Sequence, residues 1–301
     1  MPSARQVPES VFIFGCGYVG LALARELLES DVRVGALTRN SEKAGQLREL
    51  GLQEVIEADL QDAAWQGRIR ENYRAVVNCV SSAGGGLQGY RKSYVEGQQV
   101  IIDWARSQAI ENYVYTSSTS VYPQDTGGWV DELADTSDAP PTGQVLLESE
   151  ALLVNAGFPA HCILRLAGIY GPGRHYLLNQ LKEGAGEIPG SGDYALNMIH
   201  RDDIVRAIYA ALAAGSAGGS GIYNIADDEP KTKAEVLAWL AGQLRLPEPV
   251  FNPNKVSERL KRRGGRMPHR RVSNAKARAG LDWQPQYPSF REGYADLLAI
   301  D

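Results

Sequence analysis

Gly15, Gly17 and Gly20 stand at the spacing Gly-x-Gly-x-x-Gly, and the chemistry open to them is anion binding by bare backbone. Each has a mechanical task. Gly15 turns the chain sharply out of a strand, Gly17 lets the backbone approach a pyrophosphate, and Gly20 seats a helix closely on that strand. Cys16, Tyr18 and Val19 fill the turn and come to the ligand with it. Further on, a site selective for NAD carries Asp or Glu to bind the ribose hydroxyls, whereas this chain reads Thr38-Arg39-Asn40. A guanidinium stacks on adenine and binds a 2′-phosphate, so Arg39 with Asn40 beside it selects NADP over NAD. Asn40 or Ser41 also serves as the N-cap of a following helix, and the two readings are compatible. Asp59-Leu60 brings a carboxylate to where it meets the adenine amino group, and Val80-Ser81 closes the next strand end. Ser117-Ser118-Thr119-Ser120 adds hydroxyls at a strand end, where open α/β sheets bind ligands; such a cluster also caps and turns a chain.

These residues need a sheet to hold them. Val11-Phe12-Ile13-Phe14 is a β-prone apolar run, and Leu21 to Leu28 is Ala/Leu-rich, so the glycines join a buried strand to a helix. Further strands are predicted at Val32–Leu37, Glu54–Ala58, Ala75–Val80, Tyr113–Thr116, Ile163–Tyr170 and Ile222–Ala226. Helical windows lie between them, at Arg91–Gln108, Gly143–Asn155, Leu177–Glu183 and Ile204–Ala214. Alternating strands and helices make parallel strands with right-handed crossovers. Thr232 to Leu244 begins with Thr232 as N-cap and Glu235 three residues on, the capping-box spacing. The fold class is α/β, a Rossmann doubly wound, mostly parallel sheet.

The bounds agree with an ordinary globular protein. Hydrophobic residues make up 44% and charged residues 22% of 301, and the net charge of −5 exerts no pull toward nucleic acid. Cys16, Cys79 and Cys162 form an odd set in apolar runs and read as reduced core thiols. Met1–Ser10 lacks a basic-then-apolar leader, and the longest apolar run is too short and glycine-rich to span a bilayer. A cytoplasmic protein with no membrane contact is expected. The four histidines are scattered without metal-ligand spacing, so no metal is expected, and no Gly-x-Ser-x-Gly elbow points to hydrolysis.

Five motifs in order carry a family resemblance: Gly15-x-Gly17-x-x-Gly20, Ser117 to Tyr122, Leu164 to Gly173, Asn197 to Asp203 and Tyr223-Asn224-Ile225-Ala226. They are similar to the motifs of extended short-chain dehydrogenase/reductases, the NAD-dependent epimerase/dehydratase group. Thr116 to Tyr122, Gly171-Pro172-Gly173-Arg174-His175 and Gln286-Tyr287-Pro288 resemble the atypical YeeZ-like branch. The resemblance implies a dinucleotide-binding unit over 1–170, to which 201–226 returns, and a small C-terminal α/β substrate lobe from 171–200 and 227–301. It implies Ser118 as the catalytic hydroxyl, donating a hydrogen bond to a carbonyl or hydroxyl. The family's proton-transfer pair, Tyr-x-x-x-Lys, has its counterpart here in Thr142 and Leu146, neither of which is an acid or base near neutral pH. Both this departure and the glycine spacing are features of the atypical branch.

Tyr94 falls where many relatives have an asparagine on the long helix facing the nicotinamide pocket, and it is the candidate substitute proton donor; Tyr122 and Tyr170 are further phenols. Each of the three also reads as a packed core tyrosine. Arg174, His175, Asn197 and His200 resemble substrate-side residues, an arginine there binding phosphate or carboxylate. Against this, Arg174 pairing with a surface carboxylate and His200 capping the helix near Asp202 remain open. The basic run Lys255, Arg259, Lys261, Arg262, Arg263, Arg266, Arg270 and Arg271 reads as a solvated face, as a phosphate-binding wall of the substrate cleft, or, last, as a nucleic-acid patch. The function implied is an NADP(H)-binding oxidoreductase or epimerase-like enzyme on a polar small molecule, nucleotide-linked sugars included. The alternative is a sensor or scaffold that binds NADP(H) without catalysis. The resemblance further implies a homodimer through Arg91–Gln108 and Gly143–Asn155.

Overall fold

Along the first strand, residues alternate between two apolar layers: Val11 and Ile13 join one, Phe12 and Phe14 the other, and all four are fully buried. This period of two marks a strand covered on both faces. The computed structural model describes residues 6–82, 84–184, 187–215, 217, 219–256 and 267–300. Its central strands are β1 (Ser10–Phe14), β2 (Arg33–Thr38), β3 (Glu54–Glu57), β4 (Ala75–Asn78), β5 (Asn112–Ser118), β6 (Ala160–Leu166) and β7 (Gly221–Ile225). They form one sheet in the order β3-β2-β1-β4-β5-β6-β7. Every neighbouring pair is parallel, so this sheet is parallel throughout rather than mostly so. The order reverses between β1 and β4, which opens a crevice at the carboxyl ends of the strands.

The α-helices among the described residues are α1 (Tyr18–Glu29), α2 (Ser41–Glu49), α3, α4 (Pro141–Val154), α5 (Tyr176–Lys182), α6 (Arg201–Gly215), α7 (Lys233–Leu244), α8 (Ala275–Leu281) and α9 (Phe290–Ile300). The third, α3, is α-helical over Gly86–Arg91, widens to a π-helical turn over Lys92–Glu96, and is α-helical again over Gly97–Arg106. It therefore starts ahead of the predicted Arg91 and carries a distortion that no periodicity announced. Leu23 and Leu27 of α1 pack in one layer with Ile204, Ile208 and Leu212 of α6. The other layer is aromatic, with Trp65, Trp104, Tyr113 and Tyr115 around Phe12 and Phe14. Among the described residues, no helix is long and apolar enough to cross a membrane.

The predicted strand Ile163–Tyr170 is two strands. Ala167 donates its N–H to Ile225 of β7, but Gly168 donates to Asn197, so the chain changes partners within one residue. Gly168–Tyr170 then pairs in parallel with Met198–His200, away from the main sheet. Strand β4 stops at Asn78 rather than Val80, because the Asn78 side chain accepts the Val80 N–H at 2.9 Å and turns the chain. A third apolar cluster joins Leu177, Leu178 and Leu181 of α5 to Val236, Leu237 and Leu240 of α7 and Phe290 and Tyr294 of α9. Helix α7 has the expected capping box: Thr232 Oγ1 accepts the Glu235 N–H at 3.2 Å, and the Glu235 carboxylate accepts the Thr232 N–H at 2.8 Å. Arg259, Lys261, Arg262, Arg263 and Arg266 of the basic run lie outside the described residues.

Candidate active site

The three glycines have different tasks. Gly15 sits at φ +85°, and a Cβ there would lie 2.5 Å from the Val80 nitrogen. A Cβ on Gly20 would lie 2.6 Å from the Gly15 carbonyl oxygen, so helix α1 rests directly on the turn. A Cβ on Gly17, by contrast, would meet nothing within 4 Å. The room it leaves is room for a ligand. Helix α1 starts there with no side-chain cap and no acidic residue in its first turn. Leu21 is the donor that closes the first turn, onto the Gly17 carbonyl at 3.0 Å, leaving the N–H groups of Tyr18, Val19 and Gly20 ahead of it. A bare helix start beside open space fits the diphosphate of a dinucleotide.

A cleft of about 770 Å³ runs from this turn along the strand ends. Gly15, Cys16, Gly17, Tyr18 and Val19 border it, and Gly20 lies behind them. At the β2 and β3 ends it is bordered by Arg39, Asn40, Asp59 and Leu60, and at the β4 end by Val80 and Ser81. Arg39 is exposed and makes no ion pair with any described residue. Asn40 takes the capping role, its Oδ1 accepting the Lys43 N–H at 2.8 Å. Asp59 Oδ1 accepts the Gln61 N–H at 3.1 Å, which fixes the carboxylate at the rim. Thr38, Gln61 and Thr116 also border the cleft; the sequence placed Thr38 and Thr116 at strand ends without assigning them to the site, and it gave no signal for Gln61. Burial pushes the Cys79 thiol up to about 12 and the Cys16 thiol higher still, so both cysteines at the cleft stay protonated.

Beyond β4 the cleft is bordered by hydroxyls. Ser118, at the end of β5, accepts the Ser120 N–H at 3.1 Å, which leaves its own proton to donate. Tyr94 lies in the π-helical turn of α3, its ring 4.5 Å from that of Tyr90. Its hydroxyl accepts the Ser82 N–H at 3.4 Å. Burial pushes the Tyr94 phenol up from its ordinary value, with the Ser82 N–H and the Tyr90 hydroxyl working against it. On α4, Thr142 is exposed and Leu146 is fully buried in the apolar layer. Tyr122 is also buried, donating to Asn224 at 2.7 Å, and Tyr170 packs against Tyr294 with ring centroids 5.0 Å apart.

A buried polar chain underlies the serines. Ser117 donates to Glu150 of α4 at 2.6 Å, Glu150 pairs with Arg165 of β6 at 2.7 Å, and Arg165 donates to the Tyr122 hydroxyl at 3.0 Å. Both ions are 4% exposed. Of this polar chain the sequence signals only Arg165, a single charge between Leu164 and Leu166 in an apolar run; Glu150, two residues after Glu148, carries no such mark.

Of the four residues expected on the substrate side, Arg174 borders the cleft. His175 stands at the start of α5 with its Nδ1 buried and without a partner among the described residues. Asn197 spends its amide on the backbone of the returning chain, donating to Arg270 at 2.9 Å and accepting from Val272 at 2.7 Å. His200 is 2% exposed, packed against Tyr170 and Tyr287, and its Nδ1 accepts the Asp202 N–H at 3.3 Å. That is the capping alternative, and it starts α6 at Arg201, ahead of the predicted Ile204. Burial holds the His200 imidazole below its usual pKa, against the pull of Asp202. Arg270 donates to the backbone of Thr119 at 2.9 Å, Arg271 to that of Gly127, and Lys255 pairs with Glu187 at 2.6 Å. None of these three basic residues borders the cleft.

Comparison with known proteins is consistent with this geometry. Residues 11–226 match the profile of the NAD dependent epimerase/dehydratase family. Over 158 residues the chain is 34% identical to Protein YeeZ of Escherichia coli (strain K12), covering 52% of this chain and 55% of that protein. Over 171 residues it is 33% identical to the 3-diazoavenalumate denitrifying reductase of a Streptomyces species, covering 52% and 54%. The chain thus spans about half the length of the curated relatives it matches. Among solved structures, DesIV (dTDP-glucose 4,6-dehydratase) from Streptomyces venezuelae, with NAD bound, superposes with a TM-score of 0.80 at 23% identity, covering 96% of each chain. At that identity the likeness is one of fold.

Proposed function

The chain belongs to the NAD dependent epimerase/dehydratase family, and from that premise we propose that it is an NADP(H)-dependent oxidoreductase acting on a carbonyl or hydroxyl of a polar small molecule. The observation that carries the NADP reading is Arg39: an exposed guanidinium without a carboxylate partner at the end of β2, where an NAD site would hold an acid. When bound, the nicotinamide supplies or accepts a hydride. The residues divide the remaining work. The glycine turn and the first N–H groups of α1 hold the diphosphate, Arg39 and Lys43 the 2′-phosphate, and Asp59 the adenine amino group. Ser118 donates its hydroxyl proton in a hydrogen bond to the reacting oxygen, which polarises a carbonyl and orients it. With Thr142 and Leu146 in place of the family's tyrosine and lysine, the proton comes from a hydroxyl already at the cleft, and Tyr94 is the phenol placed there. Burial keeps the Tyr94 phenol protonated at neutral pH, which is the form that donates to a developing alkoxide, so its resting state is the one that reduction uses. The denitrifying reductase among the relatives supports that direction.

One observation favours a second reading, an NADP(H) sensor: at the positions of the family's tyrosine and lysine, α4 presents an exposed Thr142 and a buried Leu146. Calorimetric titration with NADP(H) and NAD(H), repeated with Arg39→Ala, tests the proposal. NADP(H) is expected to bind more tightly than NAD(H), with the preference lost in the variant; no binding of either dinucleotide removes both readings. Binding that separates NADP⁺ from NADPH, with no turnover of any carbonyl compound, selects the sensor.

A further inference from the structure

The loop that sequence reasoning assigned to the substrate is tied to the glycine turn. Tyr18, the first residue of α1, donates its hydroxyl to the Pro172 carbonyl at 2.9 Å. Gly171 and Arg174 exchange backbone hydrogen bonds of 3.1 and 2.9 Å, closing the loop into a turn of fixed shape. The fit is close: Gly171 is at φ +144°, and a Cβ on it would lie 2.8 Å from the Tyr18 hydroxyl oxygen. The Arg174 guanidinium lies 5.6 Å from the centroid of the Tyr18 ring, and that of Arg201 lies 5.3 Å from it. Arg201 spends its Nε on Asp202 at 2.7 Å. Arg174 is exposed, borders the cleft, and has neither an ion pair nor a side-chain hydrogen bond among the described residues.

We infer that Arg174, oriented by the ring of Tyr18, is a clamp on the cofactor's diphosphate rather than a substrate ligand; this rests on the dinucleotide reading given above. The charges along the cleft support it. Among the described residues its bordering cations are Arg39, Lys43 and Arg174, and its bordering carboxylate is Asp59. Arg39, Lys43 and Asp59 all belong to the β2 and β3 ends. Arg174 alone of the bordering cations is tied to the start of α1, where a diphosphate brings two negative charges against N–H groups and a partial helix dipole. A planar guanidinium binds phosphate oxygens bidentately, and an aromatic face held against it limits the orientations it must lose on binding. The Tyr18–Pro172 bond fixes the distance between clamp and glycine turn.

Two probes separate the two phosphate sites: ADP carries the diphosphate without a 2′-phosphate, and 2′-AMP carries the reverse. Calorimetry on the full chain is expected to show Arg174→Gln weakening ADP by about tenfold while leaving 2′-AMP unchanged. Tyr18→Phe keeps the ring and removes the tether, and is expected to weaken ADP by a smaller factor. Circular dichroism checks that each variant is folded. The inference is overturned if ADP binds Arg174→Gln as it binds the parent, or if both probes weaken together. Failure of the parent protein to bind NADPH or ADP overturns the dinucleotide reading and this inference with it. Parent binding with an indifferent Arg174 overturns the inference alone.

Discussion

Tyr94 owes its place to a residue-scale irregularity. In a regular α-helix its side chain would follow the i, i+4 row from Tyr90; the π-helical turn over Lys92–Glu96 widens that row just where the helix meets the cleft. Its hydroxyl accepts the Ser82 N–H, so its proton points elsewhere, and the bordering space is the cleft. Tyr94→Phe is therefore expected to abolish turnover without loosening NADPH, measured as kcat beside a calorimetric Kd. Unchanged turnover would remove Tyr94 from the mechanism.

At the scale of elements, α4, with Thr142 and Leu146 among its residues, anchors the serine strand. Glu150 joins α4 to β5 through Ser117 and to β6 through Arg165. Removing one partner of a buried pair strands the other charge, so Glu150→Gln is expected to cost roughly 3–5 kcal/mol, read from urea unfolding. A cost below about 1 kcal/mol, the range of exposed pairs, would show that the pair is not buried in solution. How legible such features are in the sequence follows from their range. The glycine turn, the seven strands and the α7 capping box each depend on residues within a few positions, and all were readable. The partner exchange at Ala167 depends on Ile225 and Asn197, and the Glu150–Arg165 pair on α4 packing against β6. The tie between Tyr18 and the Pro172 carbonyl beside Arg174 is of the same kind: it spans residues 18 to 172, and nothing local marks it.

At the scale of the whole molecule, the buried acid Asp227 is expected to weaken the fold at neutral pH. Asp227 is 3% exposed, its Oδ1 has no partner among the described residues, and it lies near Tyr170. Burial, and then the carboxylates of Asp228, Glu229, Asp203 and Glu292, push its pKa well above the usual value. Because the folded state raises this pKa, its contribution is fully present below the unfolded value of about 4 and is lost as pH rises through the folded one. Asp227→Asn is expected to be the more stable protein at pH 8, by about 1–3 kcal/mol, with the difference vanishing near pH 4. Thermal unfolding at the two pH values checks this; a variant less stable at both would assign Asp227 a hydrogen-bonding role instead.

The parallel sheet also sets an order of assembly during synthesis. Helix α6, from residues 201–215, lays Ile204, Ile208 and Leu212 into the same apolar layer as α1, and β7, from 221–225, completes the sheet beside β6. A nascent chain that has left the ribosome only as far as Tyr170 holds all the residues of the glycine turn and of six strands, but not those of α6 that cover their apolar face. Sheet closure waits for some fifty further residues, an interval in which unpaired strand edges are open to aggregation and to chaperones.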